Sequence, residues 1–492
     1  MAQISINHLT FAYEGSYDNV FEDVSFTLDT GWRLGLTGRN GRGKTTLLRL
    51  LLGELTAGSS SIHMPLTPVY FPFTVSDTGQ LTLFVMQEIA EDTPEWQLRR
   101  EWNLLQMDED ALYRPYGTLS SGEQTKAQLA ALFAREDTYP LIDEPTNHLD
   151  LKGREAVGNY LRSKEGFLLV SHDRAFLNRC VDHVLSINRN DIRVTKGDYD
   201  TFADNMERQN EHERTENNRL QKDIRRLQDS ARRTAEWSQR IEKGKYHIAN
   251  DAASDKGYIG ARSADMMKRS LHTLQRQEKT MEEKGKLLKN VETVGELKLR
   301  PLRHPKQTLI SVKDGVVMYD EKVVCSGIHF TLRQGARAAL SGANGAGKSS
   351  ILKSVCGLSD ALQGDVTIAS GLKISYVPQS TEGLAGSFDD FLSEYKLDET
   401  LFKAILRNMD FGREQFDKEL AALSQGQKKK MLLAKSLCES AHLYVWDEPL
   451  NYIDILSRGQ LEELILTFQP TLLIVEHDAA FLQAVCTKII TL

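Results

Sequence analysis

At 492 residues the chain is long enough for two to four domains, and its apolar fraction of 40% is ordinary for globular cores. Cys180, Cys325, Cys356, Cys438 and Cys486 stand singly, with no CxxC pair, which argues against a disulfide framework or a cysteine metal site and favours a reducing, cytoplasmic setting. The net charge of −7 argues against a polyanion partner for the chain as a whole, but residues 201–300 hold 22 Lys and Arg against 17 Asp and Glu, so this stretch is basic.

In chain order, the start MAQISINHLTFAYEG lacks a basic stretch followed by an apolar core, so no leader is expected. Residues 1–200 alternate short apolar strands, such as Trp32–Leu36, Pro140–Ile142 and Phe167–Val170, with helical stretches. Such runs are strand-length and too short to span a membrane. From 201, Met206, Leu220, Ile224, Leu227 and Ala231 recur at heptad-like spacing, as do Met267, Leu271, Leu274, Met281 and Leu288. This predicts a helical hairpin linker over 201–303, with Gly244, Gly257 and Gly260 placing its tip at 241–262. Over 304–492 the first pattern repeats, with strands at Ala336–Leu340, Leu443–Trp446 and Thr471–Val475. The expected fold class is α/β, with two tandem domains joined by a long α-helical hairpin.

GRNGRGKT at 38–45 and GANGAGKS at 342–349 each follow a predicted strand and open a predicted helix. Glycines at Gly38, Gly41, Gly43 and Gly342, Gly345, Gly347 free the backbone amides, with those of Asn40 and Asn344, to wrap phosphate oxygens. Lys44 and Lys348 are placed to neutralise β- and γ-phosphates, and Thr45 and Ser349 to ligate Mg²⁺, with Thr46 and Ser350 next on each helix. Downstream, Asp143–Glu144 and Asp447–Glu448 end apolar strands, each 99 residues after its lysine. Asp143 and Asp447 suit Mg²⁺ coordination; Glu144 and Glu448 are placed to polarise attacking water. Either pair alone would read as a solvated turn, so the weight comes from the duplicated spacing.

LSSGEQ at 119–124 and LSQGQK at 423–428 open a helix ahead of each acidic strand. With the loops and acidic pairs they resemble the signature of ATP-binding cassette proteins, over nearly all of both halves. The resemblance implies ABC-type domains paired head to tail within one monomer, with Ser120 and Gly122 closing on nucleotide held by Lys348, and Ser424 and Gly426 on nucleotide held by Lys44. It also implies that His172 and His477 reach the γ-phosphate, that Tyr13 and Tyr319 stack on adenine, and that Gln379 sits near Mg²⁺ and water. In the first half Phe73 takes the place of that glutamine, and a phenylalanine offers no amide. The Lys44 site is therefore expected either to hydrolyse more slowly or to be positioned by a neighbouring residue or a bound water. Ser121 and Gln425 stand where the signature carries a glycine, and Tyr452 where the first half has His148.

Tandem cassettes with a charged helical linker and no membrane span resemble the ABC-F subfamily. PLIDEPTNHLDL (140–151), SHDRAF (171–176), AEWS (235–238), IGAR (259–262), MKRS (267–270) and WDEPLN (446–451) resemble its Lsa-type antibiotic-resistance proteins. Only 45 residues separate Phe73 from Leu119, which leaves little room for the arm subdomain of some housekeeping members. This resemblance implies binding of the ATP-bound form in the E site of the 70S ribosome. The linker tip would point toward the peptidyl-transferase region of 23S rRNA and the P-site tRNA and promote release of lincosamide, streptogramin A or pleuromutilin drugs. In the linker, Arg232, Arg233, Arg240, Lys243, Lys245, Arg262, Lys268 and Arg269 can meet phosphates, and Trp237, Tyr246 and Tyr258 can stack on bases. A housekeeping ABC-F translation factor is the alternative within the subfamily. The ATPase subunit of a membrane transporter is the alternative outside it, and such a subunit has no use for a basic hairpin about a hundred residues long.

Overall fold

The structure is a computed structural model that describes residues 2–13, 19–39, 41–58, 61–147, 149–187, 192–248, 297–319 and 322–492. The chain divides into two compact units, one of Met1–Phe202 with Val294–Leu492 and the other of Ala203–Thr293.

The first cassette runs β1 (Gln3–Phe11), β2 (Phe21–Asp29), β3 (Arg33–Gly38), α1 (Lys44–Leu51), β4 (Ser61–His63), β5 (Thr67–Phe71), α2 (Thr82–Ile89), α3 (Glu95–Leu104), α4 (Ser121–Ala134), β6 (Thr138–Asp143), α5 (Leu151–Arg162), β7 (Phe167–Val170), α6 (Arg174–Cys180), β8 (His183–Ile187) and β9 (Ile192–Lys196). Its main sheet has the order β5-β6-β7-β3-β8-β9, parallel except for the last pair. All four residues of β7, Phe-Leu-Leu-Val, are buried, as expected for a strand covered on both faces of a parallel sheet. An antiparallel sheet, β2-β1-β4, shares one apolar core with α1 and the inner strands through Ile4, Ile6, Leu28, Leu47, Leu141 and Leu168. Removing that surface from water contributes about 25 cal/mol per Å² of apolar area.

Helix α7 spans Tyr199–Ile248, with Tyr199 and Phe202 buried at its start. It extends through 241–248, so the first part of the segment expected as a hairpin tip is helical. Glu242, Lys243 and Lys245 are good helix formers, and Gly244 alone costs only about 1 kcal/mol within a helix. The second arm of the expected hairpin lies outside the described residues.

The second cassette runs β10 (Thr308–Tyr319), β11 (Lys322–Arg333), β12 (Arg337–Ser341), α8 (Lys348–Val355), β13 (Leu362–Ile368), β14 (Ile374–Val377), α9 (Phe388–Tyr395), α10 (Glu399–Asn408), α11 (Gln425–Cys438), β15 (Leu443–Asp447), α12 (Ile455–Phe468), β16 (Leu472–Val475), α13 (Ala479–Val485) and β17 (Lys488–Thr491). Its parallel sheet is β14-β15-β16-β12-β17, and its antiparallel sheet β11-β10-β13. Leu297 and Leu299 are buried in this cassette's core, and the Leu302 amide donates to Ala441 O at 2.8 Å. The second cassette therefore begins at least seven residues before 304, because two linker-end leucines find apolar partners there.

In both cassettes the carboxyl ends of three neighbouring parallel strands converge. β3 and β12 lead into the phosphate loops, β6 and β15 into the acidic pairs, and β7 and β16 into the histidines. Ligands of open α/β sheets bind at that edge.

Candidate active site

Each phosphate loop is shaped by glycines in the left-handed region. Gly43 (φ 91°) and Gly347 (φ 85°) immediately precede α1 and α8, and a Cβ on Gly43 would lie 2.6 Å from a Val20 methyl. Lys44 Nζ donates to Gly38 O at 2.6 Å, and Lys348 Nζ to Gly342 O at 2.8 Å and Ala343 O at 2.9 Å. Burial lowers the pKa of both ammoniums; Asp454, Glu144 and Asp143 oppose this at Lys44, and Glu448, Asp150 and Asp447 at Lys348. Thr46 and Ser350 point to the tyrosines: Tyr13 Oη lies 2.9 Å from Thr46 Oγ1, and Tyr319 Oη 2.7 Å from Ser350 Oγ. Each tyrosine is thus pinned beside its loop with an exposed ring, 42% for Tyr13 and 51% for Tyr319. Thr45 is exposed at the second position of α1, and Asn40 lies outside the described residues.

Glu144 (φ 50°) and Glu448 (φ 46°) both adopt the left-handed conformation that a side chain disfavours, costing on the order of 1 kcal/mol each. Their amides reach back to Val170 O and Val475 O, 2.9 Å in both cases. The carboxylates then differ. Glu448 Oε1 accepts from Gln379 Nε2 at 2.9 Å and Oε2 from Asn451 Nδ2 at 2.6 Å. Among the described residues, Glu144 Oε2 accepts a single long bond, 3.4 Å from the His172 amide, and burial next to Asp143 pushes its pKa up to about 8. His172 Nε2 lies 3.4 Å from Glu144 Oε1, and His477 Nε2 3.8 Å from Glu448 Oε1. Burial lowers His477 to about 4 and His172 well below its usual value, so both imidazoles are neutral at pH 7. Asp173 and Asp478, following the histidines, are anchored by buried pairs to Arg154 (2.8 Å) and Arg458 (3.2 Å).

Asp447 is fully buried, and among the described residues neither carboxylate oxygen has a hydrogen-bond partner of good geometry. Burial pushes its pKa up to about 6, with the neighbouring Ser349 hydroxyl working against the shift. A buried, under-coordinated carboxylate beside a serine fits a divalent cation, and Gln379, whose amide nitrogen is used on Glu448, keeps its oxygen for the same site. In the first cassette Asp143 Oδ2 instead accepts from Tyr70 Oη at 3.0 Å. Sequence reading missed Tyr70, although its place on β5 two residues from the Asp143 register is visible once the strands are paired.

A cavity of about 460 Å³ contains Lys348, Ser349, Gln379, Glu448, His477 and Tyr319, and its far wall is Ser121, Asn147 and Leu149 of the first cassette. Ser121, which stands where a glycine was expected, lines the wall. Ser120 Oγ caps α4 by accepting from the Glu123 amide, and Ser424 caps α11 in the same way through Gln427, one residue before Gln425, whose side chain accepts from Thr381. Gly122 and Gly426 lie in the first turns of α4 and α11.

The seam at the Lys44 loop carries ionic contacts of its own. Arg39 and Arg42 lie 3.8 Å and 4.0 Å from the Asp410 carboxylate, and Arg174 Nη2 donates to Ile455 O at 3.2 Å. The corresponding positions of the other seam hold Ala343, Ala346, Gln106 and Ala479, which cannot make these pairs. No sequence motif announces Asp410, because it sits in a turn after α10 and acts only across the seam.

Of the residues expected to meet RNA, Arg232, Arg233, Trp237, Arg240, Lys243, Lys245 and Tyr246 lie on α7, and Arg233 is exposed. Tyr258, Arg262, Lys268 and Arg269 lie outside the described residues, as does His148. Among the described residues no helix is long and apolar enough to cross a membrane.

The family profile described as ABC transporter matches residues 21–147 and 325–451. The ribosome protection protein VmlR of Bacillus subtilis is 26% identical over 96% of this chain and 84% of its own length. ABC transporter F family member 2 of Arabidopsis thaliana is 24% identical over 99% of this chain and 76% of its own. Among solved structures, the archaeal ribosome recycling factor aABCE1, determined in complex with the ribosomal stalk protein aP1, superposes with a TM-score of 0.62 at 18% identity, over 98% of this chain and 87% of its own. The profile takes in more than half of the chain in two blocks that each span a phosphate loop and an acidic pair, and the likeness to an F-family member runs nearly end to end: the chain belongs to the ABC transporter family and is an ABC-F ATPase.

Proposed function

We propose that this ATPase is a cytoplasmic ribosomal protection factor that gives antibiotic resistance. The observation that carries the reading is the insert between the two cassettes, basic over residues 201–300 and opened by the long helix α7, in a chain that matches a ribosome protection protein over 96% of its length. Its partner would be the 70S ribosome at the E site, through 23S rRNA and the P-site tRNA. Its output would be release of lincosamide, streptogramin A and pleuromutilin drugs from the peptidyl-transferase region. Phosphate contact by Arg232, Arg233, Arg240, Lys243 and Lys245, and stacking by Trp237 and Tyr246, suit that role, because RNA is bound through its backbone charge and its unstacked bases.

In this reading Lys44 and Lys348 hold the nucleotide phosphates, and Thr45 with Asp143, and Ser349 with Asp447 and Gln379, hold Mg²⁺. That ion would balance charge on the phosphates when bound. Glu144 and Glu448 orient water, and His172 and His477 donate to the γ-phosphate. ATP binding closes the seams and favours the ribosome-bound state; hydrolysis releases the protein.

The test is to express the chain in a susceptible bacterium and compare growth inhibition by lincosamides, pleuromutilins and streptogramin A with inhibition by macrolides. Protection against the first three and not the last is expected. No protection against any of them would favour a housekeeping ABC-F factor, and sedimentation of the Glu144→Gln, Glu448→Gln protein with membranes rather than ribosomes would favour a transporter subunit.

A further inference from the structure

Lys429 lies near the start of α11 with none of its surface exposed. Its Nζ donates to Pro378 O at 2.8 Å, Asp447 O at 3.0 Å and Gln379 O at 3.4 Å. Three carbonyls for three ammonium protons is what makes a buried lysine tolerable. The acceptors belong to the segments that end β14 and β15, whose side chains Gln379 and Glu448 hydrogen-bond each other at 2.9 Å. Burial lowers the Lys429 pKa to about 8, while Glu476, Asp447 and Glu448 favour its charge.

The first cassette does this differently. Its counterpart, Thr125, turns back to Ser121 O at 2.9 Å. There Gln128 grips the Phe73 backbone instead, accepting from its amide at 3.1 Å and donating to its carbonyl at 3.0 Å, and the residue matching Gln128 in α11 is the apolar Leu432. Next to Lys429, Lys430 serves another direction: its ammonium pairs with Asp454 at 2.9 Å, and both charges act on Lys44 and His172 of the opposite site. Adjacent buried ammoniums on one helix thus address different nucleotide sites.

We propose that Lys429 is a positioning residue of the Lys348 site, fastening the Gln379 and Asp447 backbones to the helix capped by Ser424 so that Glu448 holds its orientation toward the attacking water. The proposal rests on the reading of Glu448 as the water-orienting group of that site. It makes α11 a rigid connection: its N-terminus would meet nucleotide on Lys44, and its buried lysine keeps the other site's machinery in place. Loss of such a fastening shows in kcat rather than KM, because nucleotide is bound by the loop and not by Lys429.

The experiment measures ATP turnover of Lys429→Met in two backgrounds, Glu144→Gln, where only the Lys348 site would turn over, and Glu448→Gln, where only the Lys44 site would. In the first, kcat is expected to fall roughly tenfold to a hundredfold, the effect of a catalytic group misplaced by about 1 Å, with KM for ATP within about twofold. The loss in the second background is expected to be at least about fivefold smaller. Equal losses in both backgrounds, no loss in the first, or a loss confined to KM would overturn the proposal. If Lys429→Met does not fold, as judged by thermal melting, Lys429→Gln carries the same comparison with two amide protons and no charge. Should Glu448→Gln alone leave turnover at the wild-type level, the assignment of Glu448 fails first, and the two failures are thereby told apart.

Discussion

The two nucleotide sites share one backbone frame and differ in what fills it. At the Lys348 site, Glu448 is oriented by amides from Gln379 and Asn451, and the Gln379 backbone is fastened by Lys429. At the Lys44 site, Phe73 supplies no side-chain amide, Asn147 lines the opposite cavity, and Glu144 is buried with its pKa pushed up to about 8. The seams reverse the emphasis: the Lys44 side carries Arg39, Arg42 and Asp410 across it, where the other has alanines and a glutamine. The side-chain amides around the strand-end glutamate thus gather at the Lys348 site and the ion pairs across the seam at the Lys44 site. The parallel sheets set the backbone placement that the two sites share, and these side chains are what differs between them.

The strongest way to break this contrast is to exchange its central pair. Gln379→Phe in a Glu144→Gln background should lower turnover roughly tenfold or more, since misplacing a catalytic group by about 1 Å costs on the order of 10²-fold. Phe73→Gln in a Glu448→Gln background should raise it, though less, because among the described residues no second side-chain amide reaches Glu144. An unchanged rate in both would remove Gln379 from the account. A smaller effect is expected at the seam: Asp410→Ala should speed release of nucleotide from the Lys44 site by a factor of about two to five, matching the roughly 0.2–1 kcal/mol of exposed ion pairs. Stopped-flow release of a fluorescent ATP analogue reads this, and high salt should mimic it in the wild type.

The smallest effect is on stability. Between its unfolded value near 4.5 and about 8, Glu144 keeps a proton in the folded, nucleotide-free protein that the unfolded chain has released, so stability falls as pH rises across that window. Glu144→Gln removes this slope. Its melting temperature should gain on the wild type between pH 5 and pH 8, at roughly 2–4 °C per kcal/mol. A gap that does not widen would mean that Glu144 ionises normally.

Much of this was legible in the sequence because a phosphate loop is a contiguous backbone device. Gly43 and Lys44 must be neighbours along the chain, and so must Asp143 and Glu144. The strands beside them could be read from runs such as Phe167–Val170, which is buried throughout. The Phe73–Gln379 difference was legible as a substitution, but its consequence was not: Gln379 turns its amide nitrogen to Glu448, a contact between residues 69 apart. Lys429, Tyr70 and Asp410 escaped for the same reason. A lysine after a signature serine, a tyrosine on a strand and an aspartate in a turn are ordinary residues, given meaning only by strand pairing or by the other cassette. The extent of α7 escaped because a lone glycine at Gly244 reads as a breaker when charged neighbours carry the helix through it. Leu297 and Leu299, which join the second cassette's core, precede the prolines that look like its boundary in the sequence.

We expect the Lys348 site to carry most of the turnover and the Lys44 site to hold its nucleotide longer. The direct measurement compares steady-state ATP hydrolysis and site-resolved nucleotide retention in Glu144→Gln and Glu448→Gln proteins. Glu448→Gln is expected to lose most of the turnover and Glu144→Gln to keep most of it, with nucleotide leaving the Lys44 site more slowly in both. Equal loss in the two variants, with equal retention, would contradict it.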